Sequence, residues 1–396
     1  MATQTSLHPA YNLALLREQF EITATGMAYL NHAGMSPLPT PARNAMQEAL
    51  EAFSREGAAG YDALDKASLD TLYRLFSLIV GADPEEIAVV ANTATGVNLI
   101  ANSLPLQPGD SVLLCSTEFP SNVYPWMNLA RRGIETIVVP SADGGLSLEL
   151  LDQHRDKRSR VVAVSAVQFL TGRREDLAQI GAYCEQYGLW LVVDAMQAAG
   201  VVPIDMRTMG IHALAAGSQK ALMGPPGIGL LAVRAELLEQ MHPVFAGPLS
   251  VEGWEHWLQY DLTFRPKARR FDCGTHNVPG QVGLATSMQL LANLGIDNIA
   301  SWVTRLSNVA IRDLTSRGYR VITPEDPAHH AHIVTIVWDG DAHTAVDYLR
   351  KHGVLLCAHQ NREGTWHLRL SSHCYNTQEE ILCVGDLLEG VRHEQH

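Results

Sequence analysis

Asp194 and Lys220 are residue types that perform acid–base and nucleophilic chemistry, and each follows a short apolar run. Asp194 ends the run Trp190–Val193, and Lys220 follows Ala213–Ala216 and three intervening residues. The two are 220 − 194 = 26 positions apart. Because ligands of open α/β sheets bind at the carboxyl ends of the strands, we expect both side chains to face one crevice. Either residue taken alone could equally have no catalytic role, as an exposed aspartate at a strand end or a solvated lysine.

A third strand end adds a helix N-terminus. The run Ile87–Ala91 precedes Asn92–Gly96, whose small and hydroxyl-bearing residues open a helix. Such a terminus binds phosphate, although an ordinary N-cap would also explain it. A lysine amine forms a Schiff base with an aldehyde, and a carboxylate keeps a pyridine nitrogen protonated. The set therefore predicts pyridoxal phosphate (PLP), with Phe119 as a candidate for stacking on its ring.

The elements that must position these residues alternate between short apolar runs and amphipathic stretches. This alternation, with several continuously apolar runs, is typical of an α/β sheet covered on both faces. Apolar residues recur at helical spacing in Thr95–Leu104, Asn122–Arg132 and Arg174–Tyr187. The predicted strands are Ile87–Ala91, Ser111–Ser116, Thr136–Val139, Val161–Val167, Trp190–Val193, Ala213–Ala216 and Ile228–Val233.

The remainder of the chain predicts a small α+β domain. Helical patterns cover Gly280–Leu294 and Asn298–Arg317. From Ile333 to Val391 strands, including Val354–Cys357, alternate with helices. We predict three parts: an N-terminal segment 1–28 that packs on the small domain, a large PLP-binding domain 29–294, and the small C-terminal domain 295–396. The predicted class is α/β, with a mostly parallel seven-stranded sheet in the large domain.

Composition excludes several classes of protein. Of 396 residues, 46% are hydrophobic, and 29 basic against 42 acidic residues give a net charge of −13, which opposes nucleic-acid binding. No run approaches the roughly 18 apolar residues that span a bilayer, so we expect no membrane insertion and a cytoplasmic location. The six cysteines form no CxxC pair and indicate reduced thiols, and no metal site is predicted.

Seven motifs spread over nearly the whole chain resemble the class V aminotransferase family of fold-type I PLP enzymes. This family includes cysteine desulfurases, selenocysteine lyases, kynureninases, epimerase-like proteins and C–S lyases. The motifs are Tyr29–Gly34, Thr93–Asn98, Glu118–Trp126, Asp194–Gln197, Gly217–Lys220, Phe271–Thr275 and Leu368–Ser371.

The resemblance implies a role for each matching residue. Lys220 would bind the cofactor aldehyde and then move the α-proton, while Asp194 would pair with the pyridinium nitrogen. Gln197 would hydrogen-bond the phenolic oxygen, and Phe119 would stack on the ring. Arg369 would hold the substrate α-carboxylate through its planar fork. Ala94, Thr95 and Gln219 would hold the phosphate, Gln168 would line the pocket, and Thr275 would reach the phosphate of a neighbouring subunit, which implies a homodimer with shared active sites.

Two departures from the family pattern bear on the reaction. Gln219 stands before the lysine where many relatives have histidine, as in alanine– or serine–glyoxylate aminotransferases. The interval 358–367, where desulfurases carry a mobile loop with a sulfur-accepting cysteine, is short and contains no cysteine. Cys357 at its start is predicted to be a packed, unreactive thiol.

The missing loop cysteine, together with Phe119–Asn122, resembles the C–S lyase and kynureninase branch. This resemblance implies a lyase that cleaves a β-substituent, preferably at a C–S bond, from a small cysteine-like amino acid, whereas Gln219 keeps transamination open. An aminotransferase acting on a small amino acid and a 2-oxo acid, an epimerase, and a non-catalytic protein of the same fold are the alternatives.

Overall fold

The computed structural model describes residues 8–141, 143–256 and 258–395, so residues 1–7 of the predicted segment 1–28 lie outside the described part. The strands are β1 Ala28–Tyr29, β2 Ile87–Val90, β3 Ser111–Cys115, β4 Glu135–Val139, β5 Ser159–Ser165, β6 Trp190–Asp194, β7 Ala213–Gly217, β8 Gly229–Val233, β9 Ile333–Trp338, β10 Val354–Leu355, β11 Cys357–Gln360 and β12 Trp366–Ser371. The helices are α1 Leu13–Arg17, α2 Glu21–Ala24, α3 Thr40–Glu56, α4 Ala58–Val80, α5 Thr93–Ser103, α6 Tyr124–Met127, α7 Leu148–His154, α8 Leu177–Tyr187, α9 Ala235–Leu238, α10 Val278–Leu294, α11 Ile296–Ser316, α12 Ala342–Lys351 and α13 Gln378–Gln395.

The predicted seven-stranded sheet is confirmed, with the strand order β2-β8-β7-β6-β5-β3-β4. Neighbours from β7 to β4 pair in parallel, whereas β8 is antiparallel to both β7 and β2. Successive residues of β5 enter different core clusters, Val161 and Ala163 in one and Val162 and Val164 in the other. The continuously apolar runs therefore belong to strands that are buried on both faces.

Two predicted elements differ from the observed ones. The predicted helix Asn122–Arg132 is broken into α6 between two 3₁₀ turns, in a stretch where Pro120 and Pro125 have no N–H to donate. The predicted strand Val354–Cys357 is divided as well, because β10 pairs with β1 while β11 pairs with β12. No element was predicted for the region of the long helices α3 and α4, which pack against α10.

The predicted small α+β domain is also confirmed. Its antiparallel sheet has the order β11-β12-β9, and helices α11, α12 and α13 belong to the same part of the chain. Residues near the N-terminus join it: β1 pairs in parallel with β10, and the Tyr11 hydroxyl donates to the Cys374 carbonyl over 2.7 Å. The boundaries at residues 28 and 294 stay predictions. No described helix combines the length and apolar character needed to span a membrane.

Candidate active site

The carboxyl ends of the parallel strands meet at one edge of the large sheet and surround a cavity of about 370 Å³. Asp194 ends β6 and is the register partner of Ser165, the last residue of β5. Lys220 lies three residues beyond the end of β7. The cavity is lined by Asn92, Thr93, Ala94, Phe119, Ser121, Ser165, Val167, Phe169, Asp194, Met196, Gln197, Gln219 and Lys220. Six of the ten predicted site residues are thus brought together: Ala94, Phe119, Asp194, Gln197, Gln219 and Lys220.

Lys220 and Asp194 form the charged centre of this cavity. Burial lowers the pKa of the Lys220 amine, against the opposing effect of Asp194. Burial raises the pKa of Asp194 to about 6, against the N–H of Met196, which donates to its Oδ1 over 2.8 Å. The Lys220 Nζ atom lies 5.1 Å from the centroid of the Phe119 ring. A less basic amine is a better nucleophile at neutral pH, and the buried carboxylate would be stabilised by a cationic ring.

The N-terminus of α5 closes one end of the cavity. The Thr93 hydroxyl accepts a hydrogen bond from the N–H of Gly217 over 2.8 Å. A Cβ at Gly217 would lie 3.1 Å from that hydroxyl and 3.0 Å from the Met196 sulfur, so the close approach favours glycine there. Thr95 is tied to the N-cap instead, because its N–H donates to the Asn92 Oδ1 atom over 2.9 Å. The N-cap interpretation is therefore confirmed, and phosphate binding at this terminus stays a prediction.

Two glutamines present amide oxygens without partners to this region. The Gln197 Nε2 donates to the Ala33 carbonyl over 2.9 Å, while its buried Oε1 has no hydrogen-bond partner among the described residues. The buried Oε1 of Gln219 is likewise unpaired within the described chain. Since buried polar atoms are normally satisfied, these orphaned oxygens indicate a polar ligand in the cavity.

Arg369 lies beside this cavity without being part of its lining. It is 3% exposed, and its Nη1 donates to the Phe169 carbonyl over 2.7 Å. Its Nε has no hydrogen-bond partner among the described residues, and its charge acts on Lys220 and the Cys357 thiol. A buried guanidinium with an unused donor suits a carboxylate from outside the chain.

Gln168 and Thr275 lie away from the lining of the main cavity. Gln168 is buried, and its Nε2 donates to the Glu118 carboxylate over 2.9 Å, so its two neighbours in sequence line the cavity in its place. Thr275 lines a second cavity of about 300 Å³ together with Thr95 and Phe245.

Cys357 is not the fully packed thiol predicted from the apolar strand. It is half-buried at the start of β11, and its Sγ lies 3.4 Å from the His359 Nε2. Burial raises the pKa of this thiol, while Arg369 and Lys220 oppose the shift. Burial thus shifts the pKa of the thiol in the expected direction, although the side chain faces charged residues of the site.

Glu118 and Ser165 were not assigned roles from the sequence. The Glu118 carboxylate accepts hydrogen bonds from the Ser165 N–H and hydroxyl at 2.8 and 2.5 Å, and from Asn122 at 3.0 Å. Burial raises the pKa of Glu118 to about 7. The position of both residues at strand ends was the available signal, because the rule that pointed to Asp194 applies equally to them.

The comparisons with known proteins agree with this geometry. The family model for class-V aminotransferases matches residues 28–384. The chain belongs to the class-V aminotransferase family. It is therefore a PLP-dependent enzyme, and the amine, carboxylate, helix terminus and orphaned amides of the cavity fit that cofactor. No group of three or more potential metal ligands occurs in the described parts of the chain.

Relatives of this class-V enzyme extend over most of its length. It is 27% identical over 352 residues to an uncharacterized aminotransferase, YcbU, of Bacillus subtilis strain 168, covering 89% of this chain and 91% of that protein. It is 30% identical over 309 residues to a cysteine desulfurase of Escherichia coli O7:K1, covering 75% and 74% of the two chains.

Solved structures share the fold of the class-V enzyme. The cysteine desulfurase CsdA of Escherichia coli, with an S-sulfonic acid, superposes with a TM-score of 0.84 at 25% identity, covering 97% of this chain and 99% of that one. The cystine C–S lyase C-DES, in complex with its product cysteine persulfide, gives a TM-score of 0.85 at 23% identity, covering 93% and 99%.

Proposed function

We propose that this class-V enzyme is a lyase that cleaves the C–S bond of a small cysteine-like amino acid without transferring the sulfur to one of its own cysteines. The observation that carries this proposal is the hairpin between Cys357 and Arg369. Strands β11 and β12 pair from Cys357↔Arg369 to Gln360↔Trp366. The turn is short, with the Asn361 N–H donating to the Thr365 carbonyl over 3.0 Å.

The hairpin supports a lyase because its turn contains no cysteine and is closed by hydrogen bonds. The residues of the turn, Asn361–Thr365, include no cysteine. A second bond, from the Thr365 N–H to the Asn361 Oδ1 over 2.8 Å, closes the turn further. A hydrogen-bonded turn of this length leaves little chain that could carry a thiol to a departing sulfur atom.

Five residues of the site have specific tasks in the proposed reaction. PLP supplies an electron sink for the pair of electrons released from the Cα–H bond. The Lys220 amine removes the Cα proton, and the Asp194 carboxylate lies where it can hold a proton on the pyridine nitrogen. Arg369 binds the α-carboxylate, and Phe119 and Phe169 exclude water from one side of the site. For cysteine, the balanced outcome is cysteine and water giving pyruvate, ammonia and hydrogen sulfide, with no net oxidation.

An aminotransferase is the second candidate function. It is supported by Gln219 in place of a histidine, because the neutral amide beside Lys220 is the arrangement that resembles glyoxylate aminotransferases. The same proton abstraction serves both reactions, and reprotonation at the cofactor rather than loss of the β-substituent would lead to amino transfer. Epimerisation is a third outcome of that step. A cytoplasmic location stays a prediction.

Incubation of the holoenzyme with single amino acids, without a 2-oxo acid, distinguishes these functions. We expect steady release of pyruvate, together with sulfide from cysteine or cysteine persulfide from cystine, with an unchanged cofactor spectrum. Formation of alanine with a persulfide on the protein would indicate a desulfurase, and a single turnover to the pyridoxamine form would indicate an aminotransferase. Either result would overturn the lyase proposal. K220R is the matched control, because it keeps a positive charge but cannot form the imine.

The proposed assembly is a homodimer in which the partner's surface completes each site. Several large apolar side chains of the stretch 244–262 are exposed, among them Phe245 at 55%, Leu258 at 81% and Tyr260 at 91%. Phe245 also lines the second cavity with Thr95 and Thr275. Exposed apolar surface of this kind marks a protein–protein interface, and its proximity to Thr275 supports the predicted contribution of that residue to the neighbouring subunit.

A further inference from the structure

The backbone around Lys220 is held by an unusual series of hydrogen bonds. Three successive carbonyls accept from donors that lie outside the large sheet. The Gln219 carbonyl accepts from the Ser36 N–H over 2.8 Å, and the Lys220 carbonyl accepts from the Ser36 hydroxyl over 2.6 Å. The Ala221 carbonyl is bonded to the His373 Nε2 over 2.9 Å. Two segments far apart in sequence therefore hold the backbone of the reactive lysine.

The hydrogen atoms of this arrangement can be assigned by donor and acceptor counting. The single hydroxyl hydrogen of Ser36 goes to the Lys220 carbonyl, so the Ser36 oxygen accepts from the His32 Nδ1, 2.8 Å away. The His373 Nδ1 accepts from the Cys374 N–H over 2.8 Å, which leaves the proton on the His373 Nε2. His32 is thus protonated on Nδ1 and His373 on Nε2.

Both imidazoles are held in the neutral form. They are buried, with ring centroids 5.2 Å apart. Burial and the neighbouring histidines lower the pKa of His32, and burial lowers the pKa of His373 to about 4. Each ring is therefore fixed in one tautomer, and each tautomer donates toward the lysine segment.

The turn after Lys220 has an unfavourable backbone conformation. Met223 has a φ of 50°, in the left-handed region, and its N–H donates to the Lys220 carbonyl over 3.0 Å. A residue with a Cβ atom adopts this conformation only where its surroundings impose it, and such positions are concentrated at functional sites. The Ser287 hydroxyl, on helix α10, donates to the Met223 carbonyl over 2.9 Å. The lysine segment is thus constrained from several directions.

The segment that contains His32 and Ser36 is also bonded to the strand that carries Arg369. The Ser371 hydroxyl, two residues after Arg369, accepts from the Ala33 N–H over 2.8 Å. We propose that His32, Ser36 and His373, here called the carbonyl clamp, are positioning residues that set the Lys220 amine relative to the substrate-binding arginine. This inference rests on the proposed role of Lys220 as the reacting amine.

Loss of the clamp is expected to affect the reaction rate more than substrate binding. Ser36→Ala removes two links at once, the donor to Lys220 and the acceptor for His32. Because misplacement of a reacting group by about 1 Å can cost on the order of 100-fold in rate, we expect kcat to fall about tenfold or more with KM nearly unchanged. The apoprotein should also capture PLP on Lys220 more slowly, which a stopped-flow absorbance measurement reports independently of turnover.

Conservative variants separate positioning from general stability. His32→Asn keeps a donor near the Nδ1 position and should retain most of the PLP capture rate. His32→Leu should slow capture, but less than Ser36→Ala, because the Ser36 hydroxyl can still donate to the Lys220 carbonyl. Ser77→Ala is the matched control, since the Ser77 hydroxyl also donates to a backbone carbonyl, that of Ala82, over 2.6 Å outside the site. It should leave capture and kcat unchanged. If Ser36→Ala does not fold, Ser36→Thr, which keeps the hydroxyl, is compared with the His32 pair.

Nitrogen-15 NMR of the apoprotein tests the tautomers directly. We expect His32 and His373 to stay neutral from pH 6 to 9, with protons on Nδ1 and Nε2 respectively. Titration of His32 or His373 in this range, the opposite tautomer of either ring, or a wild-type rate of PLP capture by Ser36→Ala would overturn the clamp. Borohydride trapping on Lys220 without any lyase activity would overturn the proposed function only, so the two failures are distinguishable.

Discussion

The Arg369 guanidinium donates to the Phe169 carbonyl over 2.7 Å, a bond that joins strand β12 to the wall of the main cavity. It fixes one side of the fork while the buried Nε atom has no partner in the described chain. The orientation of the fork is therefore set before a substrate arrives, which lowers the entropy cost of binding a carboxylate.

Arg369→Ala is expected to raise KM for cysteine about 100-fold, because two charge-assisted hydrogen bonds are lost. The KM of Arg369→Lys should lie between those of the wild type and Arg369→Ala, since an ammonium cannot form the parallel pair of bonds. Steady-state kinetics with cysteine and with cysteamine, which lacks the carboxylate, measure the effect. An equal loss for both compounds would show that Arg369 does not bind the carboxylate.

Glu118 predicts a pH dependence of stability. Burial raises its pKa from the ordinary 4.5 to about 7, so the folded state binds this proton more tightly than the unfolded state. The resulting stabilisation is complete below pH 4.5 and is lost as the pH rises through 7, by an amount on the order of 3 kcal/mol. Glu118→Gln, which cannot ionise, should therefore lose less free energy of unfolding than the wild type as the pH rises.

Urea unfolding of the apoprotein at pH 5.5 and 8.5 measures this difference. The buried carboxyl of Glu175, with a pKa that burial also raises to about 7, is present in both proteins and supplies a common background slope. Identical slopes for the wild type and Glu118→Gln would contradict the prediction.

Cys357 is expected to be dispensable for turnover. Burial raises the pKa of its thiol, which keeps the nucleophilic thiolate scarce at neutral pH. Cys357→Ser should retain at least about half of the wild-type kcat, and mass spectrometry after turnover should find no added sulfur on Cys357. Half-buried Cys383 on α13 serves as the control thiol. A persulfide on Cys357, with an inactive serine variant, would restore a desulfurase mechanism.

Shared active sites predict complementation between two defective variants. Lys220→Ala lacks the reacting amine, and Thr275→Ala lacks the hydroxyl proposed to reach the neighbouring subunit. In a mixed dimer, one site receives an intact Lys220 from one chain and an intact Thr275 from the other. Activity above that of either parent after mixing and subunit exchange is expected. A monomer in sedimentation, or no gain on mixing, would contradict the shared site.

Much of the cavity could be predicted from the sequence because parallel strands place their carboxyl ends at one edge. This rule locates Asp194, Lys220 and Phe119 from local patterns alone, and all three line the cavity. The seven strands could be predicted for the same reason, since continuous apolar runs indicate burial on both faces.

The partners of these residues could not be predicted, because they depend on contacts between distant parts of the chain. The bond from Ser36 to Lys220 spans 184 positions, and that from Gln168 to Glu118 spans 50. The thiol of Cys357 was placed wrongly for a similar reason: the run Val354–Cys357 is shared between two different sheets. The hydrophobic periodicity of a sequence carries no information on which strand each half of such a run pairs with.

The pairing of β1 with β10 has a consequence for the order in which the parts of this chain can become rigid. Residues 28–36 precede the large sheet in the sequence, yet many of their long-range hydrogen-bonding partners lie in residues 353–371 and in the lysine segment. A large sheet that has formed without the small domain would therefore leave the lysine segment without its bond from His373. We expect the site to become fully ordered only once the small C-terminal domain has folded.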